Sequence, residues 1–333
     1  MIRNATLAAA TILTLSAAYA VGLEEKPFPT SSTTLRTDGA LYFVRGRQAI
    51  PRNAKIVSLR KMKVHGLGEE AVLEVSGILE LKAVTGGEVI LEDVWLELTP
   101  ECRSLYLSHV SFTGKGGIRP SPRGPSKAKV FVESTKFTNG AQLLMDCTGG
   151  SISLNAVHAT EPVVIRGIPR SDKAGSTLEL QILSCQGKER NGPYKGFTAG
   201  LIVEGVKEVL VRNNYLGGKL SRFLNNGAVD FDGNNARSVD LEFIMEYPKD
   251  FKRVKVHNCD FRSQRVKFYA PGTGKKAQRL VIDHSWFDTG TEAAVIKAAQ
   301  IIDNDVDPSN GVLVKFKKIV PIAMGLGGRA GSK

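Results

Sequence analysis

The chain has 333 residues, of which 42% are hydrophobic and 23% charged, and it contains no long polar tract. That balance excludes a disordered chain and allows a large core. Lysine and arginine outnumber aspartate and glutamate by 45 to 33, giving a formal net charge of +12. The excess favours polyanionic partners such as acidic polysaccharide, an anionic membrane surface or nucleic acid, although scattered cations also serve plain solubility.

Residues 1–20 read as a secretory signal peptide. Arg3 supplies the positive start, Ala5 to Ala17 an apolar stretch, and Ala18-Tyr19-Ala20 a small-x-small cleavage site. The apolar stretch is short of the ~20 residues that a membrane span needs. The expected product is secreted or periplasmic, with no membrane span in the mature chain. Cleavage after Ala20 removes Arg3 alone and leaves 44 basic residues against 33 acidic ones, or +11. Export makes nucleic acid the least favoured polyanion. Residues 21–55, with Pro27, Pro29 and a Thr/Ser run, read as a linker and N-terminal cap.

From residue 56 to 315 a phrase recurs: apolar-x-apolar-x-polar-x-x-aromatic or leucine. It appears at Val89 to Leu96 (VILEDVWL), Leu105 to Phe112 (LYLSHVSF) and Val130 to Phe137 (VFVESTKF). Weaker copies start at Ile152 and Leu178, and clearer ones return at Val209, Val254 (VKVHNCDF) and Leu280 (LVIDHSWF). A truncated copy begins at Val239 and Leu241. A self-similar period of about two dozen residues signals a solenoid or array, and strict alternation signals short half-buried strands. Second strands follow at Pro162 to Arg166, Gly200 to Glu204, Ala228 to Asp232 and Arg265 to Tyr269, with Gly, Asn, Asp and Pro at the joins. Residues 316–333 form a basic, Gly-rich tail.

The phrase resembles the repeat of the pectin-lyase-like superfamily, most clearly in VKVHNCDF and LVIDHSWF. The resemblance implies an all-β fold, a single-stranded right-handed parallel β-helix of roughly ten coils. It also implies a hydrogen-bonded polar ladder at the turns, here involving Asn213 and Asn258. It says little about activity, because lyases, hydrolases, adhesins and scaffolds share the fold. Val281-Ile282-Asp283-His284 is similar to a segment of one pectate lyase family, but Val281 replaces the usual tryptophan and no later arginine-proline-arginine follows. The polygalacturonase pattern is absent, as are GxSxG, HExxH, CxxC and a complete phosphate loop. Cys102, Cys147, Cys185 and Cys259 allow either two disulfides or buried free thiols.

Alternate residues of a strand share a face. The second strands therefore project Arg166, Glu204, Asp230, Asp232, Lys267 and Tyr269 outward. On successive coils, Glu204, Asp230 and Asp232 are expected to hold a hard cation such as calcium. Lys267, Tyr269 and Arg166 would then flank it as bases and charge-stabilising groups. This set suits β-elimination on a uronate, with the cation and arginine stabilising the enolate and a lysine or tyrosine removing the α-proton. Any charged solenoid row produces a similar pattern. A second row comprises Arg212, Glu242, His257 and Asp283, with Lys255 beside them, and Tyr106, Phe131 and Tyr215 offer rings for sugar faces. The expected function is to act on or bind an acidic polysaccharide, as a cation-assisted lyase if it is an enzyme. The alternative is a non-catalytic scaffold, adhesin or glycan-binding protein.

Overall fold

The computed structural model describes residues 25–169, 176–188, 194–236, 239–244 and 253–259, together with short strands beyond 259 as far as Ile319–Pro321. Residues 1–20 and most of 316–333, read above as signal peptide and tail, lie outside them. The expected all-β parallel β-helix forms: a β-solenoid of about nine turns, with no helix among the described residues. The coils begin early, since Thr34–Thr37, inside the segment read as linker and cap, already pairs with Asn53–Ser58.

Each coil passes through three faces. The first face is a 12-stranded parallel sheet running from Thr34–Thr37 to Leu313–Phe316. The other two belong to one 16-stranded sheet, joined through the long strand Lys61–Val75. Its first residues pair with Glu88–Glu92 on the second face, and its last with Val94–Leu98 on the third. Later third-face strands include Gly117–Pro120, Val163–Gly167, Leu201–Glu204, Leu220–Leu224, Asp240–Ile244 and Val266–Tyr269.

Alternation within each strand sends apolar residues inward, where they stack coil on coil. One inward row of the first face runs Leu35, Ile56, Leu81, Leu107, Val132, Leu154, Ile182, Val211, Phe231 and Val256. The row corrects the register of three repeat copies. Val89 to Leu96 straddles the second and third faces, and the first-face strand of that coil is Ile78–Ala83. Ile182 occupies the row position assigned to Leu180, and Leu241 lies on the third face. Rings fill the core in the same stacked manner. Phe112 and Phe137 stack 4.7 Å apart with nearly parallel planes, while Phe231 meets Phe223 and Phe243 edge-on, each at 5.7 Å.

The corner from the first to the second face needs a left-handed residue. His109, Ser134, Ala156, Ser184, Asn213, Gly233 and Asn258 supply it, with φ between 47° and 63°. Asparagine and glycine tolerate that conformation best. The ladder itself is built by the next residue along. The Cys185 amide donates to Asn214 Oδ1, and the Asn214 amide donates to Asn234 Oδ1. Asn214 Nδ2 also donates to the Ile182 carbonyl and to Asn234 Oδ1. Asn213 and Asn258, expected in the ladder, instead make the turn beside it. All four cysteines are free and buried, and burial pushes the Cys147 thiol up to about 11 and Cys185 to about 12.

On the third face the early coils are closed by ion pairs. Glu97 projects outward but its side chain is 0% exposed, because Arg47 and Arg119 clamp it at 2.7 and 3.0 Å. Arg119 also lies 5.1 Å over the Trp95 ring and pairs with Glu70. Burial pushes the Glu97 carboxyl up, but hydrogen bonds from Arg47, Ser121 and Arg119 outweigh it and hold the group below its ordinary value.

Two outcomes follow from these contacts. Asn214→Ala strips the Cys185 amide and the Ile182 carbonyl of partners, and urea titration should show a loss of about 2–4 kcal/mol. Because the folded Glu97 titrates below its unfolded value, its contribution is complete above the unfolded range and lost as pH falls through the folded value. Urea midpoints measured from neutral pH downward should fall in acid. Glu97→Gln should be less stable at neutral pH and show a flatter acid limb.

Candidate functional site

The outer surface of the first face carries an aligned run of polar and aromatic groups. Inward Leu105 and Leu107, Val130 and Val132, and Ile152 and Leu154 force the residues between and beside them outward. The central outward row reads Glu80, Tyr106, Phe131, Ser153, Gln181, Leu210, Asp230 and Lys255. Neighbouring members are about 4.8 Å apart along the axis.

Tyr106 and Phe131 stack face to face, with centroids 5.3 Å apart and planes 2° from parallel. On the Tyr106 side the stack ends at an ion cluster. Lys82 Nζ is 2.6 Å from Glu80 Oε1, and Lys55 Nζ is 3.3 Å from Glu80 Oε2. The hydrogen bond from Lys82 is the main cause that holds the Glu80 carboxyl below its ordinary value, with Lys55 adding to it. The Tyr106 hydroxyl donates a long hydrogen bond of 3.5 Å to Glu133.

Further along, the same face carries a charged cluster. His257 Nε2 is 2.9 Å from Asp230 Oδ1, and its Nδ1 is 3.5 Å from Asp232 Oδ1. Asp232 also pairs with Arg212 Nε at 3.0 Å and accepts a 2.9 Å hydrogen bond from Asn258. The His257 side chain is only 14% exposed, so its neighbours set its orientation.

The structure divides the six residues expected to form a site. Arg166 and Glu204 are register partners on the third face, with Arg166 Nε 3.6 Å from Glu204 and Nη1 3.8 Å from Asp146. Burial pushes the Asp146 carboxyl up, against the pull of Arg166. Lys267 and Tyr269 lie on the same face by strand register, beside Glu242 and Ile244, and their side chains fall outside the described residues. Asp230 and Asp232 belong to the first face. Inward Phe231 touches third-face Phe223 and Phe243, so the outward groups of the two faces point away from each other across that core. Glu204 therefore does not join Asp230 and Asp232 around one calcium ion. Among the described residues, no three His, Cys, Asp or Glu side chains converge as metal ligands.

The second expected row fares better. Arg212, His257 and Asp283 are in register on the first face, with Asp232 in the place assigned to Glu242. Glu242 instead pairs with Arg222 at 2.7 Å on the third face. The signal for that exchange is local. Gly233-Asn234 repeats the turn-then-ladder pair of Asn213-Asn214, and no such pair follows Leu241.

Comparison with protein-family models, with curated proteins and with solved structures finds no match for this chain. Arg212 is 46% exposed, and an exposed ion pair contributes at most about 1 kcal/mol. Arg212→Ala should therefore unfold in urea within about 1 kcal/mol of the wild type, and a larger loss would show that the cluster is structural.

Proposed function

We propose that this protein is an exported β-solenoid that binds an acidic polysaccharide along the outer surface of its first face. The supporting observation is an outward row in which the Tyr106–Phe131 stack leads through Ser153, Gln181 and Leu210 to Asp230, beside which the neighbouring row brings Arg212, Asp232 and His257. Stacked rings suit the C–H faces of sugars, hydroxyls and amides suit their hydroxyl groups, and cations suit uronate carboxylates. A face with an axial repeat of about 4.8 Å suits an extended chain. The likeness of VKVHNCDF and LVIDHSWF to the pectin-lyase-like repeat, the N-terminal signal sequence and the basic balance point the same way.

One observation favours chemistry as a second reading. Arg212 and His257 lie on either side of Asp232 on one face, so a uronate carboxylate that displaces Asp232 from both would meet a cation and stand near a His257 nitrogen freed to take its α-proton. In that reading Lys267, Tyr269 and Arg166 are spectators on another face.

The test is binding of the mature chain to immobilised pectate, alginate and glycosaminoglycans, with calcium and with chelator. Retention should weaken as salt rises, because the contacts are between exposed charges. Neutral glucans should not be retained. Absence of retention on every uronate polymer would overturn the reading in favour of a scaffold or adhesin. Appearance of the absorbance of an unsaturated uronate product, abolished by His257→Ala, would establish the lyase reading. Retention without product would leave binding alone.

A further inference from the structure

The aromatic stack on the first face is closed at one end and open at the other. Beyond Tyr106 stand Lys82 and Glu80, joined at 2.6 Å. Beyond Phe131 the next residue in the row is Ser153, and the one after it is Gln181. A serine reaches outward by a single hydroxyl, so the far face of the Phe131 ring borders a hollow one coil deep. Phe131 and Gln181 are two coil steps apart, or about 9.6 Å, which leaves room for one ring at the spacing of the stack itself.

We propose that the hollow over Ser153 is a subsite that seats one uronate pyranose ring, stacked on Phe131 as the third member of the column. The assignment rests on the polysaccharide reading above. The C–H face of a pyranose complements the negative face of the phenyl ring. Ser151 and Asn155 lie on the same strand two residues to either side of Ser153, and supply a hydroxyl and an amide for the sugar's equatorial groups.

Charge fixes which way the uronate points. Lys129 is exposed on the Ser151 side and makes no ion pair among the described residues. Glu179, the acidic residue next in that outer row, is held by Lys207 at 3.1 Å. Glu133 lies on the opposite side of Phe131 and repels a second carboxylate. The carboxylate therefore sits toward Lys129, and the neutral edge toward Asn155.

Calorimetric titration of the mature chain with trimers of galacturonate, mannuronate and glucuronate tests the assignment. Phe131→Ala removes the stacking surface, and Ser153→Tyr fills the hollow with a ring of the protein's own. Both sites face outward, so melting curves should confirm that the variants fold. Each should weaken the preferred trimer about tenfold. Lys129→Ala should weaken that trimer while leaving the affinity for the matching neutral trimer unchanged. If Phe131→Ala and Ser153→Tyr bind like the wild type while Arg212→Ala binds more weakly, the subsite is wrong and the polysaccharide face stands. If the wild type binds none of the trimers, although it is retained on the polymers, the subsite falls alone. If it binds neither trimers nor polymers, both readings fall together.

Discussion

Because the pleat has a period of two, a strand that slips by one residue turns every side chain to the opposite surface, so the parallel register between coils decides what this molecule can present. Here the register is held from inside. Leu107, Val132, Leu154 and Ile182 occupy one buried row, and a slip would expose them while burying Glu133, Asn155 and Leu183. Desolvating Glu133 and Asn155 without partners would cost far more than a misaligned surface row gains. The corner ladder adds directional control, since the Asn214 side chain spans from the Ile182 carbonyl to Asn234 and meets its partners in one register only.

The same constraint explains what the sequence could and could not reveal. Apolar alternation made the solenoid legible, because inward rows tolerate any branched or aromatic residue and still read as apolar-x-apolar. It did not distinguish the three faces, which share that pattern. Val89 and Leu91 fit the phrase as well as Leu105 and Leu107, yet they occupy a different face. Assigning Ala228–Asp232 to the second strands moved Asp230 and Asp232 beside Glu204, and assigning Leu241 to the first moved Glu242 beside His257. The residues that mark the faces are at the corners, where Asn213-Asn214 and Gly233-Asn234 combine positive φ with a buried amide. A spacing measured between those pairs follows the faces more closely than one measured between apolar positions.

The outer surfaces differ in how their charges are used. On the third face, Glu97 is enclosed between two guanidiniums, and Arg222 and Glu242 bind each other at 2.7 Å. Such groups have already exchanged water for partners, so a ligand would have to break those bonds to reach them. On the first face, Arg212 is likewise paired with Asp232 at 3.0 Å, whereas Lys129 remains without an acidic partner among the described residues. Net charge alone does not separate these situations. The difference lies in whether each cation has a carboxylate within the protein.

Two aromatic pairs show how one stacking geometry serves two ends. Phe112 and Phe137 stack inside the solenoid at 4.7 Å with planes 4° apart, and Tyr106 and Phe131 stack outside it at 5.3 Å and 2°. The inner rings are fully buried, so their apolar area contributes to folding and none of it remains for a ligand. The outer rings are only partly covered, and the side chain that would complete the cover over Phe131 is a serine. An aromatic or branched residue at 153 would extend the column and shield more apolar surface. Serine leaves that surface to water, and a ring brought by a ligand recovers the contact that the fold omits.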